Sequence, residues 1–178
     1  ERFKNHKELV MNISRLLSKV SCDYNCADQI VKQNCTSTFL TSMIMYKDNS
    51  AVLIRIAFVL GNLTTHYTEA RTELCQNIEG FQKVMGLAQF YLDKDLCGKP
   101  IEPPKDKKVK KYEEFSAGNL EDAITKVVKL IANLSTEEKY AHKFLITESE
   151  SLLSFMDSLV KAIDKRTIDK NEEFILNA

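Results

Sequence analysis

A chain of 178 residues suffices for one domain with a substantial core or for a handful of stacked repeats, and leaves little room for a second independent domain. Lys plus Arg and Asp plus Glu number 25 each, so no whole-chain field holds the protein on nucleic acid or an anionic membrane, and electrostatic recognition must come from local patches. The apolar residues fall in short amphipathic runs, none near the roughly 20 residues of a membrane span, and Glu1 to Lys7 is polar; neither signal peptide nor span is expected.

The first helical pattern is LVMNISRLLSKVS, Leu9 to Ser21. Asp23 and Thr36 come next, and each can cap a helix start by accepting a bond from an otherwise unpaired N–H. The run VLIRIAFVLGNLTT, Val52 to Thr65, places Leu53, Ile56, Ala57, Leu60 and Leu63 on one helical face; strand alternation does not fit it. Shorter helices are expected near Tyr67 to Asn77 and Gly80 to Leu92. The segment Leu96 to Gly118 holds all three prolines, two of the five glycines and a lysine run, and reads as a flexible surface insertion. Beyond it, AITKVVKLIANLSTEE (Ala123 to Glu138) repeats the spacing with Ile124, Val127, Val128, Ile131 and Leu134, and Thr136 can cap the next helix. Helices over Glu137 to Thr147 and Ser149 to Asp164 succeed it, and Asp169 to Ala178 opens like another copy, so both ends read as truncated and apolar.

Two of these runs end in Leu or Ile, a small residue, Asn, Leu, then Ser or Thr; the first is a looser copy with Lys19 where the others have Asn62 and Asn133. Lys19 to Asn62 is 43 residues, within the period of two- and three-helix solenoid repeats, and Asn62 to Asn133 is 71, the excess falling on the insertion. Three helices per period favour the armadillo unit over the two-helix HEAT unit. The expected fold is therefore all-α: a single solenoid over residues 1–178, about three to four stacked repeats with anchors near 19, 62 and 133.

A small residue, Asn-Leu and Ser closing the third helix resembles the armadillo repeat family. LIRIAFVLGNLTTHYTEARTEL (Leu53 to Leu74), VVKLIANLS (Val127 to Ser135) and EEFILNA (Glu172 to Ala178) resemble, more narrowly, a member of that family from motile cilia. The resemblance implies a cytoplasmic adaptor that assembles axonemal radial spokes or carries their precursors on intraflagellar transport trains. It also implies that third helices line a concave groove whose anchor Asn, here Asn62 and Asn133, grips the backbone of an extended peptide. Import-type armadillo proteins place Trp four residues before that Asn; this chain has no Trp, with Phe58 and Lys129 there, so basic import signals are not the expected ligand.

Positions at minus 7, minus 4 and zero from each anchor share a helix face: Asn12, Arg15 and Lys19; Arg55, Phe58 and Asn62; Lys126, Lys129 and Asn133. Stacked in parallel, they form a ladder rich in Arg and Lys and without a carboxylate, suited to an acidic or amphipathic protein segment. A solvated basic face is the plainer alternative, and agreement in sign across three helices favours the groove. Lys99, Lys105, Lys107, Lys108, Lys110 and Lys111 fit contact with RNA, acidic tubulin tails or a membrane surface, or simply a solvated loop; with only Tyr112 and Phe115 beside them, specific nucleic-acid reading is not expected. Cys22 and Cys26 stand at i, i+4 without a neighbouring His, the five cysteines are odd in number, and reduced thiols without bound metal are expected. No phosphate loop, nucleophile elbow or zinc-protease motif occurs, so the expectation is a non-catalytic scaffold with no cofactor and no small-molecule substrate. The competing reading is a permanent structural part that docks through apolar solenoid ends.

Overall fold

The chain is described here by a computed structural model covering residues 6–76, 78–97, 117–166 and 175–176. Helix α1 (Lys7–Val20) precedes two three-helix units, α2 (Tyr24–Lys32), α3 (Thr36–Met45) and α4 (Ser50–His66), then α5 (Thr68–Cys75), α6 (Ile78–Leu96) and α7 (Ala117–Ser135). A further pair, α8 (Glu138–Thr147) and α9 (Ser149–Asp164), starts a third. The helices α1, α4 and α7 lie side by side as one row; α3, α6 and α9 form another. This is the three-helix period that the spacing predicts. Of the expected insertion, Leu96 belongs to α6 and Ala117–Gly118 to α7; residues 98–116, with the lysine run, lie outside the described residues, as do 169–174 and 177–178 of the expected last copy.

Helix α4 shows why the periodic run folds as it does. Val52, Leu53, Ile56, Ala57, Leu60 and Leu63 are at most 4% exposed, because α4 is covered by α1, by α7 and by its own α3 at once. The buried hydroxyl of Thr64 donates to Leu60 O at 2.7 Å, so that burial leaves no donor unpaired. One cluster of buried residues runs from Leu40 in α3 to Ala162 in α9, and a smaller one (Ala27, Val31, Val59, Leu63, Tyr67, Ala70) lies where α2, α4 and α5 meet. The core is thus continuous across unit boundaries, which is how stacked repeats stabilise one another.

Caps divide into local and remote. Asp23 accepts from Cys26 N at 2.9 Å, as expected, and Asn49, which is not among the expected caps, accepts from Val52 N at 3.2 Å. Thr36 and Thr136 do not cap. Thr36 sits inside the first turn of α3, whose N–H groups at Thr36 and Ser37 are taken by the Glu73 carboxylate of α5, at 3.2 and 2.9 Å, with Thr36 Oγ1 donating to the same group. Thr136 Oγ1 instead donates back to Asn133 O at 2.7 Å, and α8 starts after Glu137 without a side-chain cap. Asn34 takes the left-handed conformation (φ 51) that turns the chain between α2 and α3, a conformation Asn tolerates better than most residues.

The two end faces are apolar. Positions 10, 6 and 3 residues before the anchor are Val52, Ile56 and Val59 in α4 (0, 4 and 1% exposed) and Ala123, Val127 and Leu130 in α7 (all 0%), whereas in α1 they are Leu9, Ile13 and Leu16 at 39, 46 and 61%. At the opposite end Leu145, Ile146, Leu153, Met156 and Val160 are exposed.

Candidate functional site

The nine ladder positions all reach the surface. Asn12, Arg15, Lys19 and Lys129 are exposed, and Arg55, Phe58, Asn62, Lys126 and Asn133 are half-buried, while Ile56, Ala57, Val59 and Leu60 on α4 and Val127, Val128, Leu130 and Ile131 on α7 are buried.

Register along the row is fixed by the anchors themselves. Asn62 Nδ2 donates to Ser21 Oγ at 3.1 Å, with Cys22 Sγ at 3.8 Å; these are the second and third residues after Lys19. Asn133 Nδ2 donates to Thr64 Oγ1 at 3.0 Å and Thr65 Oγ1 at 2.9 Å, the second and third residues after Asn62, with Gly61 O at 3.2 Å. The same donor therefore meets the same acceptor position at successive steps, and the Ser or Thr that closes each copy of the motif is the acceptor for the next anchor. What each carboxamide leaves for a ligand is its oxygen, which has no partner among the described residues.

The basic groups divide by what holds them. Arg55 Nη1 lies 2.7 Å from Met11 Sδ on α1 and donates to Ala51 O at 2.8 Å, which fixes the guanidinium across the first step of the row. Lys126 pairs with Asp122 at 3.7 Å, one turn earlier on α7, so the ladder positions carry no carboxylate but one stands beside them. The side chains of Arg15, Lys19 and Lys129 make no hydrogen bond or ion pair among the described residues, and they set the positive character of the row.

Residues that sequence reasoning passes over tie the units together. Arg71 on α5 bridges Glu137 at 2.7 Å and donates to Thr64 O, closing the C-terminus of α4. Arg166 makes a bidentate pair with Asp95 at 2.9 and 3.0 Å and reaches Glu121 at 3.2 Å, joining the end of α6 to the start of α7. No local pattern announces such partners, since 66 residues separate Arg71 from Glu137 and 71 separate Arg166 from Asp95. Among the thiols, Cys22, Cys26 and Cys97 are exposed and Cys75 is buried. Burial pushes the Cys75 thiol up to about 11, which keeps it protonated and unreactive.

Three-helix units whose third helices stack in register through an anchor Asn define an armadillo-type α-solenoid, all-α throughout its described residues. The protein it resembles is armadillo repeat-containing protein 2. The chain is 22% identical over 179 residues to that protein of Homo sapiens, covering 100% of this chain and 20% of the relative. It is likewise 22% identical to that of Mus musculus, covering 99% and 19%. The chain therefore spans about a fifth of the length of these curated relatives. No protein-family model matches it, and no solved structure does. No helix among the described residues is long and apolar enough to cross a membrane.

Proposed function

We propose that the chain is a non-catalytic protein-binding scaffold whose third-helix row holds an acidic or amphipathic segment of a partner protein. The observation that carries this reading is the register of the row. Equivalent positions on α1, α4 and α7 recur on one surface, and Arg15, Lys19 and Lys129 stand there without internal carboxylates to satisfy them. An extended acidic segment would meet a cation at successive steps, with Phe58 offering an apolar contact and the Asn62 and Asn133 oxygens accepting from its backbone N–H groups. Arg55 and Lys126 add charge from half-buried positions.

The resemblance to armadillo repeat-containing protein 2 supports a further step: assembly or transport of axonemal radial spokes in motile cilia and flagella, with spoke or intraflagellar transport components as partners and a cytoplasmic and axonemal location. The test is binding of a blocked peptide alternating Glu and Leu, measured for the native chain and for Lys19→Glu/Lys129→Glu. Affinity should fall at least tenfold and its salt dependence should flatten. Unchanged affinity would eliminate the row as the binding surface.

The exposed stripe Leu9, Ile13 and Leu16 favours a second reading, a permanent structural part docked through its apolar ends. Solution sizing separates the two, because a chain that stays monomeric at high concentration does not depend on end-to-end docking.

A further inference from the structure

On the row of second helices, α6 and α9 pack together but leave an opening between them along part of their length. Gln82, Met85, Gly86 and Gln89 lie on one face of α6, and Ser151, Ser154 and Phe155 face them from α9, around a cavity of about 520 Å³. The opening has a simple cause. Gly86 brings no side chain, a Cβ there would meet nothing within 4 Å, and the serines opposite are short.

The floor is apolar: Met85, Phe144 and Phe155 are 3 to 5% exposed, and the Phe144 ring is backed by Phe81 at 4.4 Å between centroids. The rim is acidic. Glu148 accepts from Gln82 Nε2 at 2.6 Å and from Ser151 Oγ at 3.3 Å, two neutral donors that fix the carboxylate without cancelling its charge. Among the described residues neither Glu148 nor Glu150 has a cationic partner, and no Lys or Arg side chain lines the cavity. Gln89 completes the wall. Its amide nitrogen is committed to Asp93 at 2.7 Å and Ser158 at 2.9 Å, and its oxygen is a buried acceptor that no donor reaches.

We infer that this cavity is a docking site for an arginine or lysine side chain of a partner protein. The hydrocarbon stem would lie on Met85, Phe144 and Phe155, and the cationic head would stand at Glu148 and Glu150. Such side chains bury an apolar stem while keeping the charge at a polar rim. The site has the opposite sign to the third-helix row and lies on other helices, so it takes a different segment from the acidic one proposed above and does not depend on that reading.

The probe is a blocked peptide alternating Leu and Arg, titrated into the isotopically labelled 178-residue chain, with a counterpart carrying neutral citrulline at each Arg. Amide shifts should gather at Gly86, Ser151 and Ser154, and the citrulline peptide should bind at least tenfold more weakly. Glu148→Gln/Glu150→Gln should weaken the arginine peptide at least tenfold, and Gly86→Leu, which fills the cavity, should abolish the shifts. Equal binding of the citrulline peptide, full binding to either variant, or shifts confined to the Arg55–Lys129 row would overturn the site. If Gly86→Leu fails to fold, the Gln pair, which leaves shape unchanged, decides alone.

Discussion

Replacing Asn133 by Ala tests whether the anchor holds the solenoid together or only faces a ligand. Its Nδ2 carries two hydrogens and meets three acceptors on α4, at 2.9, 3.0 and 3.2 Å, so about two hydrogen bonds are lost, at about 1 kcal/mol each. Ala gains about 0.6 kcal/mol over Asn in a helix interior, which leaves a net cost of about 1–1.5 kcal/mol. No donor is stranded, since Thr64 Oγ1 still donates to Leu60 O and Thr65 Oγ1 to Gly61 O, both at 2.7 Å. The same change at Asn62 removes one good bond, to Ser21, and a weak one at 3.8 Å to Cys22, so its net cost is about 0.5 kcal/mol or less. Urea unfolding of both variants beside the native chain supplies the comparison. The ordering Asn133 over Asn62 is the prediction; equal effects at the two positions would overturn it, and two variants more stable than the native chain by the helix-propensity gain, about 0.6 kcal/mol, would show that the inter-unit bonds contribute nothing.

Two glycines should respond in opposite directions. A Cβ at Gly80 would stand 1.9 Å from Leu74 O, so Gly80→Ala should destabilise by about 2–3 kcal/mol, whereas a Cβ at Gly61 meets nothing within 4 Å and Gly61→Ala should stabilise by about 0.5–1 kcal/mol in thermal unfolding. A destabilising Gly61→Ala would contradict the packing described between α4 and its neighbours. Glu73 should link stability to acid. Partial burial pushes its carboxyl up, but the hydrogen bonds from Thr36 and Ser37 outweigh this and hold it below its ordinary value of 4.5. A carboxyl depressed in the folded state contributes stability above that value and loses it as pH falls through the folded pKa. The gap in urea midpoint between the native chain and Glu73→Gln should therefore be full near pH 7 and shrink below about pH 4.5. A gap independent of pH would remove Glu73 as an ionised cap.

Helix positions are readable because each depends on spacing within one segment. Ile56, Ala57, Leu60 and Leu63 are buried as their i, i+3, i+4 recurrence requires, and α8 and α9 run close to the expected limits. The apolar spacing ends α6 at Leu92, yet the helix runs to Leu96, because Asp93, Lys94 and Asp95 continue it on polar residues that carry no apolar period. Caps are readable only when local. The group that closes the start of α3 comes from Glu73, so Thr36 looks like the cap although its neighbour in space supplies the carboxylate. The hydroxyl after each anchor is visible in the motif, but its purpose depends on the distance between stacked helices, which the chain does not write down. The cavity at Gly86 is hidden for a similar reason: a glycine in a helical pattern costs helix propensity and signals nothing more until Ser151 and Ser154 from another unit are placed opposite it.

Equal totals of acidic and basic residues rule out a whole-chain field, and the two proposed binding surfaces are compatible with that balance. Arg15, Lys19 and Lys129 stand on the third-helix row, while Glu148 and Glu150 stand at a cavity built by α6, α8 and α9. Packed helices are separated by about 8–10 Å, and at physiological ionic strength solvent screens charge over about 8 Å. Charges one helix layer apart therefore largely fail to cancel at the point of contact, so a net charge of zero is compatible with two local surfaces of opposite sign. The same screening requires both to weaken as salt rises. A partner that engaged either surface with no salt dependence would have to be held by the apolar positions alone, Phe58 on one side and Met85, Phe144 and Phe155 on the other.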